Sequence, residues 1–375
     1  MSYTFNLDGV HRLGMRASQI SVGSKKTEFP QREETCTDRG YLQRLPSDIQ
    51  IRSAPSDLYL VKRKYTEEAL KRLIQSSSFF QKEKDRIAGL LSNRRDAITS
   101  FNASIARATT ITEAMNQRLV GLQKGFDVLR IFDSWDLTPN QLRERIRSSK
   151  KYAAEYGIDD DASVIKVSIN PIQGPNLLRE KLEAIYSETD GASVKYASPL
   201  RAPRQFGVIK AFGEIEKWND MYDVPKTWRG NGRTSMMHMM SYFGFDSLSL
   251  LTGKRWTKRG ARPQIIVPRR FDDTSLGYLK MPQEHTSRYG NDLLCSCDVD
   301  YGYDVSSQTD NYSTDELSGM FRVHEAFASN IEFALDRPLI LQQGKELIDR
   351  YRAKEFSRQA FKDLLGVDFS NKQLM

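Results

Sequence analysis

The feature that most constrains this chain is a long proline-free stretch with helical spacing of its apolar residues. No proline occurs between Pro55 and Pro139. Within this stretch, a 3,4 spacing that starts at Leu70 and ends at Leu129 places apolar residues at fourteen of eighteen positions. Such periodicity is typical of helices with a coiled-coil-like apolar seam. We therefore predict a long helix over about residues 66–107 and a second helix over about 111–131.

The two predicted helices meet at Thr109 and Thr110. Thr110 and Glu113 have the spacing of a capping box, which marks the start of a helix. One straight helix over the whole stretch would span roughly 100 Å, so an antiparallel hairpin is the preferred interpretation. Its seam packs either inside the chain or against another copy, and Lys84 and Arg94 on the seam favour an interface. The residues predicted to mediate oligomerisation are Leu70, Leu73, Phe80, Ile87, Leu91, Ile98, Phe101 and Ile105.

The remaining sequence predicts an α+β protein built from four segments. Residues 1–65 are predicted to form an extended arm, because scattered Gly, Ser, Pro and charge leave little apolar surface to bury. Residues 66–157 would form the helical domain. Residues 158–310 show mixed strand and helix patterns and hold a basic segment. Residues 311–375 are acidic and return to helical periodicity.

Residues 163–220 predict the order strand, helix, strand, strand, helix, which begins a ferredoxin-like, split β-α-β unit. The third predicted strand, 206–212, resembles the aromatic strand of RNA-recognition-motif domains. Gln205 stands where that family has glycine, and the first strand, 164–167, lacks the aromatic residue that stacks a base. The resemblance implies an RNA-binding module at 163–224.

The net charge of +8 is unevenly distributed along the chain. Residues 201–270 hold 14 basic and 5 acidic residues, whereas residues 271–375 hold 11 basic and 18 acidic ones. A basic stretch with aromatic residues suits phosphate backbones and stacked bases. The alternatives are docking on the acidic C-terminal third, within one chain or between copies, and a solvated surface. The residues predicted to bind nucleic acid or a partner are Arg229, Arg233, Lys254, Arg255, Trp256, Lys258, Arg259, Arg262, Arg269 and Arg270.

Motifs that would indicate catalysis are weak. Cys36, Cys295 and Cys297 are too few for a disulfide framework or a four-ligand zinc site. The four histidines lack the H-x-x-x-H spacing of a helical metal site. The sequence therefore predicts no catalytic residues, no metal and no cofactor. One alternative is a metal-dependent nucleotidyl- or glycosyl-transferase, in which Asp298 and Asp300 share a strand face and grip a divalent ion.

The combination of arm, seam and segregated charge favours a non-enzymatic assembly protein. We expect self-association into a homo-oligomer or larger assembly, as in a virus or phage particle component or a nucleoprotein, with RNA or DNA as a candidate partner. No apolar run of about 18 residues occurs, so no membrane span is expected. Residues 1–10 lack a basic segment followed by an apolar core, so no signal peptide is expected. The expected location is intracellular or within a virus particle.

Overall fold

The structure is a computed structural model, and it describes residues 3–11, 15–45, 56–105, 110–132, 136–158, 164–169, 175–189, 192–197, 225–230, 244–250, 270–272, 277–279, 330, 333–334 and 336–343. The strands are β1 (Tyr3–Val10), β2 (Arg16–Val22), β3 (Lys25–Phe29), β4 (Gln31–Arg32), β5 (Glu34–Thr35), β6 (Leu58–Tyr65), β7 (Ile98–Ile105), β8 (Val128–Arg130), β9 (Val164–Ile169), β10 (Ala192–Ala197), β11 (Lys226–Gly230), β12 (Ser247–Leu250), β13 (Arg270–Asp272) and β14 (Gly277–Leu279). The helices are α1 (Cys36–Leu42), α2 (Glu67–Gln75), α3 (Ser77–Leu91), α4 (Glu113–Gly121), α5 (Pro139–Glu155) and α6 (Pro175–Glu188). The prediction of a chain with both helices and strands is confirmed.

The central feature of the fold is a closed parallel sheet. Its strand order is β4-β12-β11-β10-β9-β8-β7-β6-β5. Only Glu33 separates β4 from β5, so these two short strands are halves of one strand. That strand pairs in parallel with β12 through β4 and with β6 through β5. The described residues therefore form an eight-stranded barrel in which most strands are followed by a helix, the (β/α)8 architecture.

The outer face of the barrel packs against the helices. Because side chains alternate along a strand, Tyr59, Val61 and Tyr65 of β6 point one way while Leu58, Leu60 and Lys62 point to the lumen. These outward residues belong to one buried cluster with Phe101 of β7. The helices contribute their apolar faces to the same cluster, namely Leu70, Leu73, Phe80, Ile87, Met115 and Leu119. Burial between strand and helix thus uses the apolar residues of both.

A three-stranded antiparallel sheet, β1-β2-β3, covers the N-terminal end of the barrel, and we call it the cap sheet. Its inward residues form a buried cluster with the first lumen-facing residues of three barrel strands, the six members being Ile20, Val22, Phe29, Leu58, Ile98 and Val128. Polar contacts support this seat. Asp127 directly precedes β8 and binds Lys25 at 2.6 Å. Asp246 directly precedes β12 and accepts a hydrogen bond from Ser18 at 2.5 Å.

The predicted extended arm over residues 1–65 is wrong. Strands β1, β2 and β3 of this segment form the cap sheet, and Gly23 takes a positive φ of 62° at the turn between β2 and β3. Later residues of the same segment form β4, β5 and β6 of the barrel. The low apolar content was misleading because the outer cap strands β1 and β3 alternate between more and less exposed residues, which needs few apolar residues. The barrel sheet also takes strands from the predicted helical and mixed segments.

The predicted long helices and their hairpin are also wrong. Helix α3 ends at Leu91, and residues 98–105 form strand β7. The second predicted helix contains α4 and then strand β8, and its N-cap is Thr112, whose side chain accepts from the N–H of Met115. The 3,4 spacing continued through β7 by coincidence, since Ile98 faces the cap sheet and Phe101 faces the helices. A helix would place both residues on the same face, whereas a strand places them on opposite faces.

The residues predicted to form an oligomerisation seam pack within the chain instead. Six of them are buried, namely Leu70, Leu73, Phe80, Ile87, Ile98 and Phe101. Leu91 and Ile105 are partly buried against the cluster between strands and helices that contains Phe101. These side chains are therefore already used by the core of a single chain. The described part of the chain contains no coiled-coil seam at these positions.

The predicted elements between residues 136 and 197 fare better. Helix α5 begins with the expected Thr138-Pro139, and Thr138 and Gln141 form a capping box. Strands β9 and β10 and helix α6 also agree with the sequence pattern. The split β-α-β unit is wrong, however, because β9 and β10 are directly paired parallel neighbours with no strand between them. The predicted strand 206–212 lies outside the described residues.

Candidate active site

The barrel lumen changes from apolar to polar along its length. Its N-terminal end holds Leu58, Ile98 and Val128, which pack on the cap sheet. Further along, strand β9 places polar side chains in the lumen: Lys166 and Ser168 alternate with the outward Ile165, Val167 and Ile169. Polar side chains in a buried barrel interior are costly unless they serve one another or a ligand. The C-terminal end of the strands is where (β/α)8 enzymes place their active sites.

An ion pair spans the lumen. Lys166 Nζ lies 2.7 Å from Glu33 Oε1, and the two side chains are only 8% and 4% exposed. Glu33 lies on the first strand of the barrel and Lys166 on the fifth, so the two groups come from opposite sides of the closed sheet. At this depth the attraction between the two charges is weakly screened, while their removal from water is costly. The ion pair therefore links the first and fifth strands across the lumen and fixes the positions of both side chains.

Arg130 lies beside this pair. It is the register partner of Lys166 on the neighbouring strand, and its Nη2 donates to Ser168 Oγ at 2.8 Å. The buried Gln123 side chain holds its backbone, since Gln123 Oε1 accepts from the N–H of Arg130 at 2.7 Å and Gln123 Nε2 donates to its carbonyl at 3.0 Å. The described pairing between β7 and β8 is at Val128. Two residues later, the Gln123 side chain provides the hydrogen bonds to the backbone of Arg130. The guanidinium therefore projects from a fixed backbone.

Asn102 is the unusual polar group of the lumen. It lies on the lumen face of β7, four residues after Ile98, and is 1% exposed. Among the described residues, neither of its amide atoms has a hydrogen-bond partner. An unsatisfied buried polar group costs about 1–3 kcal/mol, and native proteins retain such groups chiefly where they do something. Its register partner Lys62 is partly exposed and lies toward the mouth of the barrel.

The lumen residues together define a small charged chamber. Among the described residues, Arg130 and Lys166 contribute basic side chains to the lumen and Glu33 contributes a carboxylate. A hydrogen bond of 2.7 Å joins the buried hydroxyls of Thr227 and Ser247 on the last two barrel strands. Such a chamber has donors for an anionic group and a carboxylate–ammonium pair that can exchange protons.

A second buried charged cluster lies outside the lumen. Glu34, which follows Glu33, contacts the guanidinium of Arg94. Burial raises the pKa of Glu34 to about 7, although Arg94 and Arg39 act in the opposite direction. Arg94 Nη2 also donates to the carbonyl of Ser56 at 2.7 Å. This cluster joins the first barrel strand to the turn after α3 and does not face the lumen.

Most residues predicted to bind nucleic acid or a partner lie outside the described part of the chain. Arg229 lies on β11 and Arg270 on β13, on different sheets. The predicted metal pair, Asp298 and Asp300, also lies outside the described residues. The predicted binding residues that lie outside the described part of the chain are Arg233, Lys254, Arg255, Trp256, Lys258, Arg259, Arg262 and Arg269. Their predicted roles stay predictions.

The sequence analysis assigned no role to the polar residues of the lumen. The available signal was alternation: β9 reads V-I-K-V-S-I, which puts Lys166 and Ser168 on one face of an apolar strand. Strand β7 shows the same pattern, with Ser100, Asn102 and Ser104 two residues apart. Polar residues at alternate positions of several buried strands indicate a shared polar interior, but the pattern was hidden by the helical reading of residues 98–107.

The described residues show neither a metal cluster nor a membrane helix. Within the described ranges, no group of three or more His, Cys, Asp and Glu side chains is placed to hold a metal ion. None of the described helices has the length and apolar character needed to cross a membrane. The comparisons with known proteins match the chain to no protein-family model and to no curated protein.

Proposed function

We propose that the protein is an enzyme that performs acid–base chemistry on a small organic anion bound in the barrel lumen. The observation that carries this proposal is the buried Lys166–Glu33 pair at 2.7 Å with Arg130 beside it. Purely structural lumens of (β/α)8 barrels are filled by bulky branched apolar residues. Three charged side chains in that position therefore favour a reaction site.

Each lumen residue has a role that suits its chemistry. Arg130 binds the carboxylate or phosphate of the substrate, since a guanidinium presents several donors in a fixed plane. The amide of Asn102 hydrogen-bonds a carbonyl or hydroxyl group of the substrate and gains the partners it lacks. Glu33 and Lys166 accept and donate the proton, and a positive charge nearby stabilises negative charge that develops on the substrate. Ser168 orients Arg130.

The test measures anion binding by isothermal titration calorimetry, with inorganic phosphate and acetate as probes. We expect the wild-type protein to bind at least one probe and Arg130→Met to bind it at least about tenfold more weakly, a loss of ~1.4 kcal/mol. Lys151→Met removes an exposed cation of α5 and should leave binding unchanged. Equal affinities for wild type and Arg130→Met would refute the lumen site.

A second variant separates binding from folding. Changing Asn102 to Leu removes the amide whose two polar atoms lack partners among the described residues. We expect this variant to be more stable than wild type by about 1–2 kcal/mol, because a buried unsatisfied amide becomes an apolar group of similar size. It should bind the probe more weakly despite its higher stability. A variant that is both less stable and equally able to bind would contradict the assigned role.

A second candidate function is the self-association and nucleic-acid binding that the sequence favours. Its support is the charge segregation, with 14 basic and 5 acidic residues at 201–270 and an acidic segment after it. Light scattering coupled to size-exclusion chromatography tests association, and titration with RNA or DNA at several salt concentrations tests binding. An electrostatic complex should weaken linearly in log K against log salt. A monomer that binds no nucleic acid at low salt would exclude this function.

A further inference from the structure

We propose that Asn330 is a positioning residue of the lumen site, acting through Glu33. This inference rests on the proposed function for its ligand-binding consequence, but its structural part can be tested without a ligand. Asn330 lies in the C-terminal part of the chain, 298 residues after Arg32, which it contacts. Nothing in the local sequence connects these two residues.

The contact lies at the interruption of the first barrel strand. Strand β4 ends at Arg32 and strand β5 begins at Glu34, so Glu33 occupies the break. The N–H of Arg32 donates to Asn330 Oδ1 at 2.7 Å, and Asn330 Nδ2 donates to the carbonyl of Arg32 at 3.2 Å. A side-chain amide thus supplies one residue with a donor and an acceptor, as a neighbouring strand would. The backbone directly before Glu33 is held by this clamp.

The residue after Glu33 is held as well. Glu34 is buried on the opposite face of the strand, where it contacts Arg94. With the Arg32 backbone bound by Asn330 and the Glu34 side chain bound by Arg94, the direction of Glu33 into the lumen is determined from both sides. A functional side chain has to be held within about 0.5 Å of its productive position. A small displacement of Glu33 would therefore change its contact with Lys166. A loosened Arg32 would therefore be felt at Lys166.

The segment that carries Asn330 is itself anchored. Arg337 Nη1 donates to the carbonyls of Ser18 at 3.0 Å and Phe29 at 2.7 Å, both in the cap sheet. Its Nε lies 3.1 Å from a carboxylate oxygen of Glu28. Gln343 Nε2 donates to the carbonyl of Val10 at 2.9 Å. The described residues of 330–343 therefore connect the cap sheet with the first barrel strand.

The variant Asn330→Leu tests the inference with two readouts. The first is the NMR signal of the Lys166 ammonium group in lysine-labelled protein, assigned by its loss in Lys166→Arg. The second is the affinity for inorganic phosphate. We expect Asn330→Leu to shift the Lys166 signal and to weaken phosphate binding about tenfold, the usual effect of removing a residue that orients a binding group. Asn330→Asp keeps the acceptor for the N–H of Arg32 and should recover part of both.

The matched control is Asn116→Leu. Asn116 is a fully buried asparagine, whereas Asn330 is partly buried. The Asn116 amide nitrogen donates to Ser149 Oγ in the helical layer at 3.2 Å. This variant should lower the melting temperature without changing the Lys166 signal or phosphate affinity. If Asn330→Leu behaves like Asn116→Leu, the positioning role is overturned. If wild type binds no phosphate, the proposed ligand fails, and the Lys166 signal alone decides the role of Asn330.

Discussion

At Glu34, a carboxyl group is removed from water between a barrel strand and the helical layer. Its side chain contacts Arg94, and Arg39 lies close enough to interact electrostatically. Burial disfavours the charged form and raises the pKa to about 7, while the two arginines favour the charged form. The desolvation cost is the larger effect, so Glu34 takes up a proton within the physiological pH range. Its neighbour Glu33, by contrast, is paired with Lys166 across the lumen.

The raised pKa of Glu34 predicts a pH-dependent stability. The pKa in the folded state exceeds the ordinary value of 4.5, so the folded protein binds more protons between about pH 4.5 and 7. Stability should therefore fall as the pH rises through this window, by up to about 3 kcal/mol, and its Glu34 contribution should be level above it. Urea unfolding at several pH values measures the slope.

The variant Glu34→Gln should remove this part of the pH dependence while keeping a hydrogen-bonding side chain. Glu67→Gln is the control, because Glu67 is half exposed and pairs with Lys71 on the surface of α2. The control should retain the wild-type profile. Superimposable profiles for wild type and Glu34→Gln would show that Glu34 titrates normally.

At the scale of elements, helices α4 and α5 approach each other closely at a glycine. Gly121 ends α4, and a Cβ built on it would lie 2.6 Å from the ring of Tyr156, which follows α5. That ring also packs against the aromatic side chain of Phe80, with 6.1 Å between centroids. The contact between α4 and α5 therefore requires glycine. Gly89 in α3 has open space around its Cα.

The two glycines predict opposite effects of the same substitution. Gly121→Ala should destabilise the protein by about 1–3 kcal/mol, because Tyr156 would have to move within a packed contact. Gly89→Ala should stabilise it by about 0.5–1 kcal/mol, because alanine has the higher helix propensity in an exposed helix interior. Chemical denaturation of both variants measures the difference. Equal effects would show that Tyr156 yields without cost.

The start of α4 offers a second element-scale prediction. The side chain of Thr112 accepts from the N–H of Met115, whereas Thr110 is exposed and precedes the helix. Thr112→Ala should therefore cost about 1 kcal/mol, the usual value of a helix N-cap. Thr110→Ala should cost less than about 0.5 kcal/mol as a surface substitution. The reverse order would restore the capping position that the sequence favoured.

At the scale of the whole molecule, polar contacts at the N-terminal end hold the cap sheet on the barrel. Asp246 is fully buried; it accepts from Ser18 Oγ at 2.5 Å and from the N–H of Lys226 at 2.7 Å. Arg16 Nε lies 3.5 Å from the same carboxylate, and Arg16 is also fully buried. Asp57 occupies the corresponding position before β6 but is exposed. The carboxylate of Asp246 should therefore contribute far more than that of Asp57 to holding the cap sheet on the barrel.

Replacement of these two aspartates tests that difference. Asp246→Asn should cost about 3 kcal/mol, because it leaves the charge of Arg16 buried without its counter-ion. Asp57→Asn should cost less than about 1 kcal/mol, because its hydrogen bonds from Gln31 and Thr27 are long, at 3.3 and 3.5 Å, and the residue is exposed. Thermal unfolding of both variants measures the effects. If Asp246→Asn is as mild as Asp57→Asn, the cap is held mainly by its apolar cluster.

The success of the sequence analysis followed the range of the interactions. Helix α5 was predicted correctly because Thr138, Pro139 and Gln141 act within one turn. Strand β7 was predicted as helix because Ile98, Phe101 and Ile105 match a 3,4 spacing although they do not share one face. The choice between the two interpretations depended on a strand partner, since β6 and β7 pair over their full length.

The sequence by itself determined the local elements, the polar alternation of β9 and the uneven charge along the chain. Only the tertiary structure decided that the barrel closes and that Glu33 meets Lys166, a residue 133 positions away. It also decided that Asn330 supports the first strand from a distance of 298 residues. The physical reason is that closure depends on hydrogen bonds and buried charges between distant segments, whose cost and gain exist only when all strands are in place.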